Sequence, residues 1–263
     1  VYERAKPILH ALPEVSETSV HPGEIMGNIE VSNLGFSYGE GPQILKDVSF
    51  VARPGEFIAL VGPSGSGKST MLRLLLGFEK PTSGAIYYDK QDIMDLDINA
   101  LRRQFGVVLQ SGKLMPVDIF NNIVGSANYS LEDAWEAARL VGLDKDIEGM
   151  PMGMHTVISD GARTFSGGQR QRIMIARAII NRPRILFFDE ATSALDNNSQ
   201  AIVTSSLSNL KSTRIVIAHR LSTVIKADRI IVLQDGHIVQ NGSYKELIAV
   251  PGLFQDLATR QIA

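Results

Sequence analysis

The chain contains no cysteine. That absence excludes disulfide staples and thiolate-ligated metal centres, and it fits a reducing compartment. The five histidines, at positions 10, 21, 155, 219 and 237, are scattered and give no zinc-binding spacing. An excess of charge is missing too: 26 basic residues against 28 acidic ones leave a formal net charge of −2. Nothing therefore marks a nucleic-acid groove or a polybasic membrane patch, and the local basic run Arg170-Gln171-Arg172 reads as a solvated helix face. No stretch approaches the roughly 18 uninterrupted apolar residues of a membrane helix, and no signal-peptide pattern opens the sequence. A chain of 263 residues is one large domain or two small ones, long enough to bury a core.

What is present is dominated by residues 62 to 69, GPSGSGKS. Gly62, Gly67, Lys68 and Ser69 fit the G-x-x-x-x-G-K-[ST] phosphate-binding loop. The apolar run Phe57 to Val61 precedes it as a strand should, and Met71 to Leu76 follow at helical spacing. The chemistry needs these residue types. Glycines let consecutive N–H groups curl around phosphate oxygens without a Cβ in the way. The helix start adds its positive dipole end. Lys68 can then reach the β- and γ-phosphates of ATP, and the Ser69 hydroxyl can ligate Mg²⁺. Ser64, Gly65, Ser66 and Thr70 complete the expected nucleotide cradle. A Gly/Ser-rich turn with no ligand is the alternative, but a chance match in a chain this long is roughly a one-in-a-hundred event.

Residues 1–24 are polar, carry three prolines and lack sustained periodicity after Leu12. They read as the end of a helix followed by a linker. From Ile29 the pattern alternates, and Val48 to Val51, Glu56 to Val61 and Ala85 to Tyr88 read as further strands. Gly106 to Leu109 reads as a buried strand. From about 112 to 165 helices and loops take over, the clearest helix opening at Ser130 with Asp133 completing a capping box. Trp135 reads as packing, and the methionines of Met150 to Met154 as gap filler rather than a partner surface. Helices after Ser166 and around 198–210 then alternate with strands at Arg184 to Asp189 and Arg214 to Ala218. Two more strands flank the Asp235-Gly236 hairpin turn. Alternation of this kind implies a parallel sheet with helices on its faces, and a phosphate loop at a strand's carboxyl end belongs to that α/β architecture.

Hydrolysis needs a second carboxylate for the metal and a group that orients water. Ile185-Leu186-Phe187-Phe188-Asp189-Glu190 supplies both: a buried strand, Asp189 at its end for Mg²⁺, and Glu190 beside it to polarise a water against the γ-phosphate.

Ser166-Gly167-Gly168-Gln169, followed by Arg170-Gln171-Arg172, resembles the signature of the ATP-binding-cassette (ABC) ATPases, and it falls between a phosphate loop and an Asp-Glu strand in the family's order. Physically it is another helix start, a second anion site. The resemblance implies a P-loop NTPase fold with a RecA-like parallel core, an antiparallel β-subdomain and an α-helical subdomain at about 112–180. It also implies a partner: a second copy packed head to tail, the signature of one closing over ATP held by the phosphate loop of the other. Tyr38 matches the aromatic that stacks on adenine, and Gln110 the glutamine that senses Mg²⁺, completing a metal set of Ser69, Gln110 and Asp189. Ser193 to Asp196 matches the loop that reaches across the dimer, and His219 the histidine that contacts the γ-phosphate. Phe165 departs from the pattern, standing where many members carry Leu.

The resemblance covers about residue 25 to the end. Thr156 to Ala162 lies where exporter cassettes carry a loop that senses the membrane domain, and residues 1–24 resemble the connector after an exporter's last membrane helix. Val108 to Pro116 and Met150 to Thr156 are similar to cassettes of bacterial peptide (bacteriocin-type) exporters. The implied placement is the cytoplasmic face of the plasma (inner) membrane, with membrane contact only through a transmembrane domain and no nucleic-acid partner. Soluble DNA-repair relatives carry a long coiled coil between phosphate loop and signature, and no heptad run exists here. A translation-factor type would need two cassettes. A regulatory clamp that binds ATP without hydrolysis sits badly with Glu190 and His219. A solute importer's ATPase stays open as an alternative, although such subunits usually lack a leading connector and often add a regulatory domain after the cassette.

Overall fold

The computed structural model describes Lys6 and residues 18–158, 165–191 and 194–262. Two sheets form its frame. Strands β1 (Ile29–Ser37), β2 (Gln43–Ala52), β4 (Ser83–Tyr88) and β5 (Gln91–Asp92) make an antiparallel sheet in the order β2-β1-β4-β5. The second sheet has six strands in the order β10-β9-β3-β8-β7-β6. It comprises β3 (Phe57–Val61), β6 (Phe105–Val108), β7 (Ile185–Asp189), β8 (Thr213–Ile217), β9 (Arg229–Gln234) and β10 (His237–Gly242). All of its pairings are parallel except β10 on β9.

The two-faced burial of the larger sheet explains why its central strands are apolar throughout instead of alternating. On β7, Ile185 and Phe187 pack with the smaller sheet and with helix α1 (Lys68–Leu75). Leu186 and Phe188 face the opposite cluster, built from the helices. Phe187 meets Phe105 edge-on at 5.2 Å between ring centroids, a favoured aromatic geometry. After the short helix α2 (Ile98–Arg102) and strand β6, the described residues from Leu109 to Arg184 hold helices and loops, with Asp118 and Val157 bridging in isolation. The helices are α3 (Ile119–Val124), α4 (Leu131–Leu140), α5 (Asp144–Glu148) and α6 (Gly167–Ile179). The expected capping box opens α4: Ser130 N–H donates to Asp133 at 2.8 Å and Asp133 N–H donates back to the Ser130 hydroxyl at 3.2 Å. Trp135 packs against the core. The methionine run divides, Met154 filling the core while Met152 is left exposed. Helices α7 (Asn197–Asn209), α8 (Leu221–Val224), α9 (Tyr244–Ile248) and α10 (Leu253–Ile262) complete the chain.

Most of the expected connector, residues 1–5 and 7–17, lies outside the described residues, as do residues 159–164 and Ser193. Its last part is fastened to the domain. Val20 N–H donates to Asp95 O and its carbonyl accepts from Asp97 N–H, both at 2.8 Å. The Gln104 amide accepts from Ile25 N–H at 2.9 Å and donates to the Gly23 carbonyl at 2.6 Å. Among the described residues no helix is long and apolar enough to cross a membrane.

Candidate active site

Strands β3, β8, β7 and β6 are consecutive neighbours and parallel, so the segments leaving them open along one edge of the sheet. Those segments carry Gly62 to Ser69, His219, Glu190 and Gln110 respectively. The residues the sequence singles out from four distant stretches are thereby gathered.

The phosphate loop is shaped by backbone that only glycine adopts freely. Gly62 has φ 148° and Gly67 φ 103°, both in the region L side chains avoid. A Cβ at Gly62 would fall well inside 3.0 Å of the Leu233 carbonyl oxygen, and one at Gly67 would meet the Leu45 side chain at 2.7 Å. Gly67 also caps α1 with no side-chain hydrogen bond, so the first-turn N–H groups have no side-chain acceptor from their cap. The Ser66 hydroxyl is buried and has no partner. Lys68 is 6% exposed, and its ammonium donates to the Gly62 and Pro63 carbonyls, each at 2.8 Å. Burial holds that ammonium below the usual lysine range, opposed by the Asp189 and Glu190 carboxylates. An enclosed ammonium, uncapped amides and an orphaned hydroxyl are the donor set of an oxyanion site. Ser64 and Ser69 are exposed, and Thr70 half-buried, around it.

Asp189 ends β7 buried. Its carboxyl is pushed above the usual range by burial first and by the Glu190 charge second, against the pull of His219 and Lys68. Two adjoining carboxylates in such surroundings suit a divalent cation, whose charge would reverse that upward pressure. The expected ligands, the Ser69 hydroxyl, the Asp189 carboxylate and the Gln110 amide oxygen, are all oxygen donors, a set that suits Mg²⁺. Glu190 follows with φ 52°, an uncommon conformation for a non-glycine residue. One of its carboxylate oxygens lies 3.0 Å from His219 Nε2.

Tyr38 stands just past β1, exposed, its ring edge-on to Phe36 at 4.7 Å. At the start of α6, Ser166 and Gln169 form a reciprocal capping box, with bonds of 2.9 and 3.1 Å. Gly167 and Gly168 occupy the turn between them, with Gly168 close against Ala194. Asp196 caps α7 by accepting from Ser199 N–H at 2.9 Å, and that bond holds its carboxyl below the usual range.

The expected solvated face at Arg170-Gln171-Arg172 is corrected by the structure. Only Arg170 is exposed. Gln171 is buried and bonds the backbone of Glu190 and Ala194. Arg172 donates to the Gly142 carbonyl at 2.6 Å and to Asp146 at 2.8 Å. Asp146 in turn accepts from Gln169 at 2.9 Å. The sequence pattern gives Gln171 and Arg172 only as members of a basic run and does not mark Asp146 at all. Gln171 shares a helix face with Ile175 and Ala178, four and seven positions on, the periodicity of a buried stripe. Charged neighbours masked that signal.

Comparison with known proteins agrees with this fold. The family model for ABC transporters matches residues 45–193. The exotoxin translocation ATP-binding protein PaxB of Pasteurella aerogenes is 44% identical over 249 residues, covering 93% of this chain and 35% of its own length. The alpha-hemolysin translocation ATP-binding protein HlyB of Escherichia coli O157:H7 is 46% identical over 230 residues, covering 86% of this chain and 33% of its own. This chain thus spans about a third of those relatives. A bacterial Atm1-family ABC exporter with ATP bound superposes with a TM-score of 0.93 at 34% identity, over 99% of this chain and 46% of that one. With phosphate loop, signature helix and acidic strand end in the family's order on the family's fold, the chain belongs to the ABC transporters and is an ATP-binding domain of their exporter type, a class of ATPase.

Proposed function

We propose that this domain hydrolyses ATP to drive export of a polypeptide, working as a head-to-tail pair beneath a transmembrane domain at the cytoplasmic face of the plasma membrane. The observation that carries the hydrolytic reading is the Glu190–His219 contact at 3.0 Å, formed where β7 and β8 end beside the strand that feeds Lys68. Lys68 and the loop amides bind the β- and γ-phosphates, and Tyr38 offers its exposed ring to the base. Ser69, Asp189 and Gln110 would hold Mg²⁺, which when bound neutralises charge developing on the phosphate oxygens. Glu190 accepts a proton from the attacking water as general base, and His219 orients that carboxylate and reaches the γ-phosphate. Ser166 to Gln169 and Asp196 serve the nucleotide held by the second copy. The polypeptide cargo is supported by the resemblance to peptide-exporter cassettes and by the toxin-translocating relatives.

Glu190→Gln tests the central role. The variant keeps the side chain's shape and its contact to His219 but loses the basic oxygen. It is expected to bind ATP, to lose at least about a hundredfold in turnover, within the range for a general base, and to accumulate ATP-bound dimers on size exclusion. Hydrolysis at the wild-type rate would remove Glu190 from its role.

A further inference from the structure

Gln171 is a buried amide in the second turn of α6 with both ends engaged. Its Nε2 donates to the Glu190 carbonyl at 3.2 Å, and its Oε1 accepts from Ala194 N–H at 2.9 Å. The partners fix the orientation, because a flipped amide would set oxygen against oxygen and N–H against N–H. Glu190 needs such support. A non-glycine residue at φ 52° carries a backbone cost of about 1–2 kcal/mol. Two bonds oppose that cost: Glu190 N–H to the Ile217 carbonyl at 3.2 Å, and the Gln171 bond to its own carbonyl. If the latter is removed, Glu190 is free to relax toward ordinary backbone, which swings its carboxylate away from His219. The helix doing this work is the one that begins with Ser166. Its start is clamped from the other side, where Asp146 holds both Gln169 and Arg172.

We propose that Gln171 is a positioning residue for hydrolysis, holding Glu190 in its left-handed conformation and fastening the base to the helix that carries the signature. The proposal rests on the reading of Glu190 as general base. On this view a shift of the signature helix is transmitted to the base of the same chain through a single side chain.

Two substitutions test it, in the purified protein with steady-state kinetics. Gln171→Met keeps volume and burial but removes both bonds. Gln171→Glu is isosteric, keeps an acceptor for Ala194 N–H and, ionised, turns an oxygen toward the Glu190 carbonyl; its kcat is followed to alkaline pH, because a carboxyl kept protonated by burial would donate that bond again. Both are expected to lower kcat at least tenfold while KM for ATP stays within twofold. Introduced into Glu190→Gln, each should change the residual rate less than twofold, since positioning a disabled base achieves nothing. A general structural role would instead lower the residual rate again and move KM together with kcat, which overturns the proposal. So does a wild-type kcat in Gln171→Glu that persists to alkaline pH, whatever becomes of the Met variant. The two readings fail separately: full activity in Glu190→Gln sinks the base, whereas an inactive Glu190→Gln beside a fully active Gln171→Glu sinks only the role of Gln171.

Discussion

Gly62 and Gly65 lie three residues apart in one loop, both at positive φ, 148° and 79°, yet a methyl group at each meets different surroundings. At Gly65 nothing lies within 4 Å. Gly65→Ala therefore incurs only the backbone cost of an L-residue at positive φ, about 1–2 kcal/mol. At Gly62 the new Cβ runs into the Leu233 carbonyl of β9 and comes within 2.9 Å of the Ser66 hydroxyl. A sheet carbonyl cannot swing away as a side chain can, so loop and strand must part by about 1 Å to restore normal contact. Overpacking of this kind adds about 1–3 kcal/mol. In a domain of this size it should separate the melting temperatures of the two variants by roughly 3–10 °C, Gly62→Ala being the lower. The same displacement moves the loop amides expected to face phosphate, and losing even one charge-assisted bond, about 1.5–3 kcal/mol, weakens binding by tenfold or more. Thermal melts of both variants and titration with a fluorescent ATP analogue supply the comparison. Equal melting temperatures and equal affinities would refute the argument that the Leu233 carbonyl sets the need for glycine at position 62.

Two further perturbations follow from buried polar groups. Asp189 has its carboxyl raised by burial and by Glu190; the stability such a group contributes is present while it is protonated and is lost as pH rises through its folded pKa, leaving the ionised form a net cost at neutral pH. Asp189→Asn should raise the melting temperature of the nucleotide-free protein at neutral pH by about 2–4 °C while abolishing Mg²⁺-dependent hydrolysis. The gain should shrink as pH falls toward the ordinary carboxylate range, and a gain independent of pH would exclude this cause. Asn122, fully buried, accepts from Met115 N–H and donates to the Met115, Val117 and Asp118 carbonyls, and Arg177 bonds both its carbonyl and its amide oxygen. Asn122→Leu strands several of these groups at about 1–3 kcal/mol each, so chemical denaturation should show a loss of at least roughly 3 kcal/mol. A loss under 1 kcal/mol, on the order of a single surface change, would deny Asn122 its place as the hub of the segment after Gln110.

The elements legible in the sequence are those whose residue types are dictated locally. A loop that must curl around phosphate needs glycines at fixed offsets, and a strand buried on both faces must be apolar throughout, so Gly62 to Ser69 and Ile185 to Asp189 announce themselves. The capping box at Ser130 is legible for the same reason, since both its bonds lie within four residues. What stayed hidden depends on partners far along the chain. The early part of β2, from Gln43 to Asp47, lacks a strong strand pattern and is extended because Leu45 and Gln43 pair with Phe36 and Ser37 across the hairpin. Gln171 and Arg172 look like solvent residues until Glu190, Gly142 and Asp146 arrive beside them. The contact of His219 with Glu190 depends on β8 lying next to β7, which no local pattern reports.

Glycine and glutamate answer the same geometric demand in this site in opposite ways. At Gly62 and Gly67 the backbone has positive φ and neighbours leave no room for a Cβ, so the residue without a side chain serves and nothing further has to hold it. At position 190 the backbone is again left-handed, but the general-base role proposed for it requires a carboxylate, so glycine would not serve and the conformation must be enforced from outside. The enforcing bonds come from β8, through Ile217, and from α6, through Gln171. On that proposal, a base held in this manner cannot be independent of the elements that hold it. Strain at Glu190 thus makes the sheet edge and the signature helix parts of one device, a coupling that an unstrained glutamate on a flexible loop would not provide.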